Sequence, residues 1–211
     1  FCARNNIKVC NVLGASAKSV AEYCIFAALT ISRRLSKTTD EILLGNYKEL
    51  RGNIIQDRMF SLSGLTLGVI GFGSIGQETA KMFSALGCQI QYYDPSDPKV
   101  AENLSQIAVK NGKEELLRTS DIISIHVPLI DQTKNLISMQ EFSLMKKTSI
   151  LLNASGGGVV DEYALSQAIQ DKKIKGAAID VFTSEPPEKN NPLLNLPNEF
   201  RDNIILTPHI G

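Results

Sequence analysis

The sequence lacks several features that would point to particular classes of protein. Its 211 residues carry 22 Lys and Arg against 22 Asp and Glu, so the formal net charge is zero. A neutral chain gives no electrostatic reason to expect a nucleic acid or an anionic membrane as partner. No apolar run is long enough to span a bilayer, and no charged-then-apolar signal segment opens the chain. The content of 43% hydrophobic and 21% charged residues is that of an ordinary globular protein.

Cysteine and histidine are also scarce, and their spacing disfavours a metal centre. No CxxC pair and no histidine cluster occurs among the four cysteines and two histidines, which are Cys2, Cys10, Cys24, Cys88, His126 and His209. We therefore expect reduced, buried thiols in a cytoplasmic protein, and no zinc site.

From residue 63 onward, strand-like apolar runs alternate with helical patterns. We predict strands over residues 65–70, 88–93, 121–127, 148–153, 175–182 and 203–208. We predict helices over residues 75–86, about 99–111, 113–119, 138–145 and 162–170, and a Pro- and Asn-rich loop over 184–200. Buried strands that alternate with helices form a parallel sheet with helices on both faces. The predicted fold class is therefore α/β, a doubly wound parallel sheet.

The first third of the chain has a different pattern. One strand-like run covers residues 7–12, and Ser19 with Glu22 has the S-x-x-E spacing of a helix-capping box. The helix that follows is apolar almost all round as far as Ile31, and it can continue after a break to Leu44. Such a helix is buried, either inside the fold or against a second subunit.

Residues 71–76 read Gly-Phe-Gly-Ser-Ile-Gly, the G-x-G-x-x-G pattern, between a predicted strand and a predicted helix. Gly71 allows a tight turn, Gly73 lets a pyrophosphate approach the backbone, and Gly76 lets the helix pack closely on the strand. Asp94 ends the next strand, 18 residues past Gly76, where it can bind both hydroxyls of an adenosine ribose. Its charge and the lack of a neighbouring arginine favour NAD over NADP. The alternative is a glycine turn of purely structural use.

Several polar residues follow other predicted strands, at the edge where doubly wound sheets bind ligands. His126, in the run His126-Val127-Pro128, can line the cofactor cleft, or local backbone can satisfy its ring. Thr133 can bond a ribose or phosphate group. Asp180 can bind the nicotinamide amide or hold a neighbouring residue in place.

Glu185 and His209 also follow strands, and the sequence leaves open whether they meet. If they do, an imidazole held by a carboxylate is a common way to build a general acid/base near pH 7. If they do not, they are a loop glutamate and a lone histidine.

Taken together, these residues resemble the NAD-dependent D-2-hydroxyacid dehydrogenase family, and within it the 3-phosphoglycerate dehydrogenase and hydroxypyruvate reductase type. The order and spacing of nine blocks agree over nearly the whole chain. The blocks are SVAE (19–22), LTLGVIGFGSIG (65–76), YYDP (92–95), SIHVPL (124–129), TKNLI (133–137), LMKKTSILLNAS (144–155), VVDEYAL (159–165), GAAIDVFTSEP (176–186) and NIILTPHIG (203–211).

The resemblance implies NAD as cofactor, a small 2-hydroxyacid or 2-keto acid as substrate, and a homodimer formed by a helical arm over about residues 17–60. It implies that His209 exchanges a proton with the substrate C2 oxygen and that Glu185 orients it. The other residues that it places at the cofactor are Ser74 and Ile75 by the pyrophosphate, Asp94 on the ribose, and Ala154, Ser155 and Asp180 on the nicotinamide side. Gly211 is also expected to bind the cofactor.

Two departures from the family pattern stand out. Family members usually read N-x-x-R-G where this chain reads Asn153-Ala154-Ser155-Gly156-Gly157, so Gly156 occupies the position of the arginine that grips the substrate. The chain also looks like the cofactor domain with most of the substrate domain missing. Two functions remain open: a hydride-transferring dehydrogenase, and a catalytically impaired NAD-binding module.

Overall fold

The computed structural model describes residues 1–10, 12, 14–56 and 61–211. Its centre is a sheet of seven strands: β1 (Thr66–Ile70), β2 (Gln89–Tyr93), β3 (Ala108–Lys110), β4 (Ile122–Ile125), β5 (Ile150–Asn153), β6 (Gly176–Ile179) and β7 (Ile204–Leu206). All neighbouring pairs are parallel, in the order β3-β2-β1-β4-β5-β6-β7. The direction of winding reverses between β1 and β4, and such a reversal opens a crevice at the carboxyl ends of the strands. The predicted doubly wound parallel sheet is confirmed.

Helices cover both faces of this sheet. They are α1 (Ala17–Ser32), α2 (Leu35–Leu43), α3 (Tyr47–Gln56), α4 (Ser74–Ala85), α5 (Glu102–Ser105), α6 (Lys113–Thr119), α7 (Met139–Leu144) and α8 (Glu162–Gln170), with short 3-10 turns at Ala3–Asn5 and Asn198–Asn203. Alternate strand residues serve the two faces. Leu67 and Val69 pack with α1 and α4 on one face, and Ile70 packs with α6 to α8 on the other.

Helix α1 is buried inside the fold. Cys24, Ala27 and Ala28 are fully buried, and the helix packs against α4 and the strands β5 to β7. By contrast, α2 and α3, as far as the structure describes them, contain no buried residue. None of the helices in the described ranges is long and apolar enough to cross a membrane.

Four expectations from the sequence are wrong. The side chain of Ser19 does not cap α1: its hydroxyl donates to the carbonyl of Ser16, the residue that precedes the helix. Residues 7–10 and 12 form no strand, and Asn11 lies outside the described residues. The polar helix expected at about 99–111 is instead the short α5 followed by β3. Of the four thiols, only those of Cys24 and Cys88 are buried, whereas Cys10 is exposed.

The residues expected to form a helical arm, about 17–60, contain α1, α2 and α3 as far as Gln56, and of these α1 is packed on the sheet. Residues 57–60 lie outside the described part of the chain.

Candidate functional site

The glycine loop joins β1 to α4 and has the shape that its sequence predicts. Gly71 has a φ of 90°, and a Cβ there would press on the carbonyl of His126. A Cβ on Gly76 would overlap the carbonyl oxygen of Gly71, so only glycine lets α4 start this close to the strand. A Cβ on Gly73 would meet nothing, so the space above this residue is open.

The amino end of α4 faces that open space. Its first residue, Ser74, follows Gly73, which has no side chain to cap the helix, and the first turn holds no acidic residue. Free amides at a helix start carry partial positive charge and bind phosphate. Ser74 is exposed and Ile75 is partly buried, so this end of the helix fits a pyrophosphate group.

Asp94 follows β2 beside the glycine loop and is only 9% exposed. Its carboxylate accepts hydrogen bonds from the Phe72 amide (2.8 Å), the Ser96 amide (2.8 Å) and the Ser96 hydroxyl (2.6 Å). Burial raises the pKa of Asp94, but the bonds from Ser96 and Phe72 and the positive charge of Lys110 outweigh burial, and the pKa lies below its ordinary value. The group is therefore a carboxylate at neutral pH, which can accept bonds from ribose hydroxyls. The loop, the helix start and this carboxylate together fit a dinucleotide.

His126 lies at the end of β4, next to the glycine loop. Its Nε2 is 2.8 Å from the Ser124 hydroxyl, while its Nδ1 is buried without a hydrogen-bond partner in the described part of the chain. Burial lowers the pKa of His126 to about 4, so the ring is neutral at physiological pH. Val127 lies beside Gly71, and Pro128 accepts a bond from the Thr133 hydroxyl at 2.6 Å. The hydroxyl of Thr133 is thus engaged within its own loop.

Asp180 follows β6 and holds the segment that follows β7. It is 1% exposed, and its carboxylate accepts bonds from the Thr207 hydroxyl (2.6 Å), the Ile210 amide (2.9 Å) and the Gly211 amide (2.8 Å). The hydroxyl of Tyr23, on α1, lies 2.8 Å from the Thr207 hydroxyl. Asp180 therefore holds its neighbours in place, which is one of the two roles considered from the sequence.

The loop after β5 is organised by Asn153, which is 1% exposed. Its side-chain oxygen accepts bonds from the Ser155 amide (3.3 Å) and hydroxyl (3.0 Å), and its nitrogen donates to the Gly156 carbonyl (3.3 Å). Ala154 faces Gly211, since a Cβ on Gly211 would lie 3.4 Å from that of Ala154. Ala154 and Gly211, both expected at the cofactor, thus lie together.

The three glycines that follow have different requirements. A Cβ on Gly157 would overlap the carbonyl of Phe182, so the backbone that follows β6 packs directly against the backbone of Gly157. At Gly156 a Cβ would lie 3.4–3.5 Å from Leu129 and Val159, which is ordinary contact. The backbone therefore does not require glycine at 156, and a side chain there has room for its first atom.

Glu185 and His209 meet. His209 Nδ1 lies 2.9 Å from a carboxylate oxygen of Glu185, and the other carboxylate oxygen accepts the Phe182 amide at 3.1 Å. The hydrogen bond from His209 lowers the pKa of Glu185, and the hydrogen bond to Glu185 raises the pKa of His209. Both side chains remain accessible, 64% for His209 and 40% for Glu185. The arrangement is that of an oriented imidazole that can give or take a proton near neutral pH.

Residues that the sequence did not single out complete the site. Asn153, Ser96, Thr207 and Tyr23 each hold a predicted residue or its loop in place. Asn153 and Ser96 adjoin recognised motifs, so their position was a usable signal; the contact of Tyr23 with Thr207 joins residues 184 positions apart and leaves no such signal.

Comparison with known proteins agrees with this geometry. Residues 25–211 match the profile of the family described as "D-isomer specific 2-hydroxyacid dehydrogenase, NAD binding domain". The chain is 41% identical over 206 residues to the D-3-phosphoglycerate dehydrogenase of Methanocaldococcus jannaschii, covering 97% of this chain and 37% of that protein. It is 39% identical over 209 residues to the hydroxypyruvate reductase of Thermotoga maritima, covering 97% and 63% respectively.

Among solved structures, the D-lactate dehydrogenase of Aquifex aeolicus in complex with NAD and lactic acid matches with a TM-score of 0.82 at 34% identity, over 99% of this chain and 64% of that one. The TT0316 protein of Thermus thermophilus matches with a TM-score of 0.82 at 30% identity, over 99% and 63%. The chain thus spans between 37% and 64% of the length of these relatives. The chain belongs to the family of NAD-binding domains of D-isomer specific 2-hydroxyacid dehydrogenases.

Proposed function

We propose that the protein to which this domain belongs is a NAD-dependent dehydrogenase that interconverts a small D-2-hydroxyacid and its 2-keto acid. The observation that carries this proposal is the 2.9 Å contact between His209 and Glu185, at the same sheet edge as the open glycine loop. A substrate in that crevice would lie between an acid/base group and the nicotinamide. 3-Phosphoglycerate and hydroxypyruvate are substrates of the right class.

NAD, when bound, supplies the hydride acceptor or donor. The residues of the chain have separate tasks. His209, held through Nδ1 by Glu185, has Nε2 left to exchange a proton with the oxygen on C2 of the substrate. Glu185 fixes the tautomer and keeps the imidazole basic. The amides at the start of α4 would hold the pyrophosphate, and the carboxylate of Asp94 would hold the hydroxyls of the adenosine ribose.

A second function has one observation in its favour. Gly156 gives no cation to a substrate carboxylate, and its nearest neighbours are Leu129 and Val159. A protein that binds NAD without turning over a hydroxyacid would need none. Losing one donor to a developing charge costs typically about 2.7–4 kcal/mol, or roughly 10²–10³ in rate.

The test is NADH oxidation by the full-length protein with glyoxylate, hydroxypyruvate and phosphohydroxypyruvate. We expect steady turnover that is lost in His209→Gln. We expect Gly156→Arg to raise kcat/KM by roughly 10²–10³, because an arginine makes bidentate bonds to a carboxylate. If NADH binds but neither the natural protein nor Gly156→Arg turns over any of these acids, the dehydrogenase proposal is wrong and the binding module is favoured.

We further propose a homodimer formed through α2 and α3, in the cytoplasm. Large apolar side chains on or beside these helices are exposed: Leu35, Ile42, Leu43, Leu44, Tyr47 and Ile55. Exposed apolar patches of this kind mark interaction surfaces. The four cysteines are free, which suits a reducing compartment. Sedimentation should give a dimer that Leu43→Glu converts to a monomer; a natural protein that sediments as a monomer at all concentrations would contradict the dimer.

A further inference from the structure

The loop that carries Glu185 is pinned on both sides of that residue by one carboxylate. The amide of Thr183 donates to Glu162 Oε1 at 2.8 Å, and Asn191 Nδ2 donates to Glu162 Oε2 at 2.8 Å. Glu162 is the first residue of α8, so it ties the loop to a helix of the core. Asn191 is 8% exposed, and its own side-chain oxygen accepts the Leu193 amide at 2.9 Å. The second anchor is therefore itself buried and fixed.

The backbone of His209 is held in place, since its amide donates to the Asp180 carbonyl at 2.9 Å. The side chains of His209 and Glu185 are 64% and 40% exposed, so packing does not determine where they lie. Besides its contact with His209, the Glu185 carboxylate accepts the Phe182 amide, which lies in the same loop. The distance between the two side chains therefore depends on where the loop backbone is placed.

The position of Glu162 has a simpler explanation, which the contacts do not support. An acidic residue in the first turn of a helix is stabilised by the helix dipole. That role, together with capping, is already filled by Asp161, whose carboxylate accepts the Ala164 amide at 3.0 Å and the Ser138 hydroxyl at 2.9 Å. Both carboxylate oxygens of Glu162 face the loop instead.

We propose that Glu162 is a positioning residue for the acid/base pair: it holds residues 183–191 so that the Glu185 carboxylate stays against His209. The catalytic consequence of this role rests on the proposed function, whereas the placement of the Glu185 side chain by Glu162 does not. Without Glu162 the loop would sample positions in which Glu185 is away from the imidazole, and His209 would behave more like an ordinary histidine.

The test is an NMR pH titration of the two histidines of this chain. The sequence has only His126 and His209, so each ring gives an assignable signal. Glu185→Gln sets the reference for a His209 without its partner. Both substitutions should lower the His209 pKa relative to the natural protein. We expect the decrease in Glu162→Ala to be more than half of the decrease in Glu185→Gln. Glu162→Gln, which keeps one acceptor, should lower the pKa less, and His126 should not change.

Asp161→Asn is the matched control, because it removes a neighbouring charge from the same helix start without touching the loop. We expect it to lower the melting temperature and to leave the His209 pKa as it is. If Glu162→Ala does not fold, Glu162→Gln and Asn191→Ala carry the test, since each removes one anchor. A His209 pKa unchanged in the folded Glu162 and Asn191 variants overturns the proposal, as does a pKa lowered equally by Asp161→Asn.

Activity of the full-length protein provides the second measurement. We expect Glu162→Ala to lower kcat in proportion to the fraction of molecules in which His209 no longer contacts Glu185. The Kd for NADH should be unchanged. If the natural protein has no turnover, the proposed function fails while the titration still decides the role of Glu162. If turnover is present and the titration shows no effect, the positioning role alone fails.

Discussion

Asp94→Ala tests the cofactor site through two separate quantities. In the free protein, Asp94 accepts the amide of Phe72, a fully buried residue, at 2.8 Å. A buried donor left without a partner costs about 1–3 kcal/mol. For a chain of this size each kcal/mol corresponds to roughly 2–4 °C in melting temperature, so we expect a decrease of about 2–12 °C. The Ser96 amide and hydroxyl lie nearer to solvent and should add little.

The same substitution removes the carboxylate that we propose accepts bonds from both ribose hydroxyls. Hydrogen bonds to a charged group contribute about 1.5–3 kcal/mol each, so two of them correspond to a loss of roughly 10²–10⁴ in affinity for NADH. NADPH should lose far less, because the charge that repels its 2′-phosphate is also gone. The Kd for NADPH divided by the Kd for NADH should therefore fall.

The assay is fluorescence titration with NADH and NADPH, with a thermal melt of each variant. Asp97→Ala is the control, since it removes a nearby acid whose side chain is 86% exposed and pairs with Lys110. It should leave the Kd for NADH within a few-fold of the natural value. If Asp94→Ala lowers the melting temperature but binds NADH with an unchanged Kd, Asp94 only stabilises the glycine loop and does not bind the ribose.

Three further predictions follow from the site. In the proposed reaction, keto-acid reduction uses protonated His209, so its kcat/KM should fall as pH rises through the raised pKa of His209, whereas the kcat/KM of hydroxyacid oxidation should rise. In Glu185→Gln both pH profiles should move to lower pH, and profiles that stay in place would contradict the pairing. Gly157→Ala should destabilise the fold by about 1–3 kcal/mol, measured by urea unfolding, because its Cβ overlaps the backbone carbonyl of Phe182; an unchanged midpoint would disprove the close approach. With a disulfide reagent at pH 8, Cys10 should react quickly, whereas Cys24 and Cys88, whose pKa values burial raises to about 12 and about 11, should react only on unfolding.

The sequence predicts most of the sheet because its strands are buried on both faces and read as continuous apolar runs. β5 and β6 are examples: all four residues of each are buried. β3 was missed because it has three residues, two of them exposed, and its pairing with β2 is supplied by the tertiary fold. The helical propensity of the surrounding polar segment was no guide there.

The site divides in a similar way. The glycine loop and Asp94 were predictable because the motif that identifies them lies within a short strand-turn-helix unit and the strand that follows it. The contact of His209 with Glu185 could only be posed as a question, because the two residues are 24 positions apart on different loops. The anchoring of the loop by Glu162 was not predictable at all, since nothing local distinguishes an acid that faces a loop from one that serves the helix dipole.

A dinucleotide should bind with its pyrophosphate against the first amides of α4. The most direct test is an amide NMR titration of this chain with NADH. We predict saturable shifts that are largest at Gly73, Ser74 and Ile75, with further shifts at Ser96. If saturating NADH leaves these amide signals unchanged, or shifts only the signals of residues elsewhere on the sheet, the pyrophosphate does not bind at the start of α4.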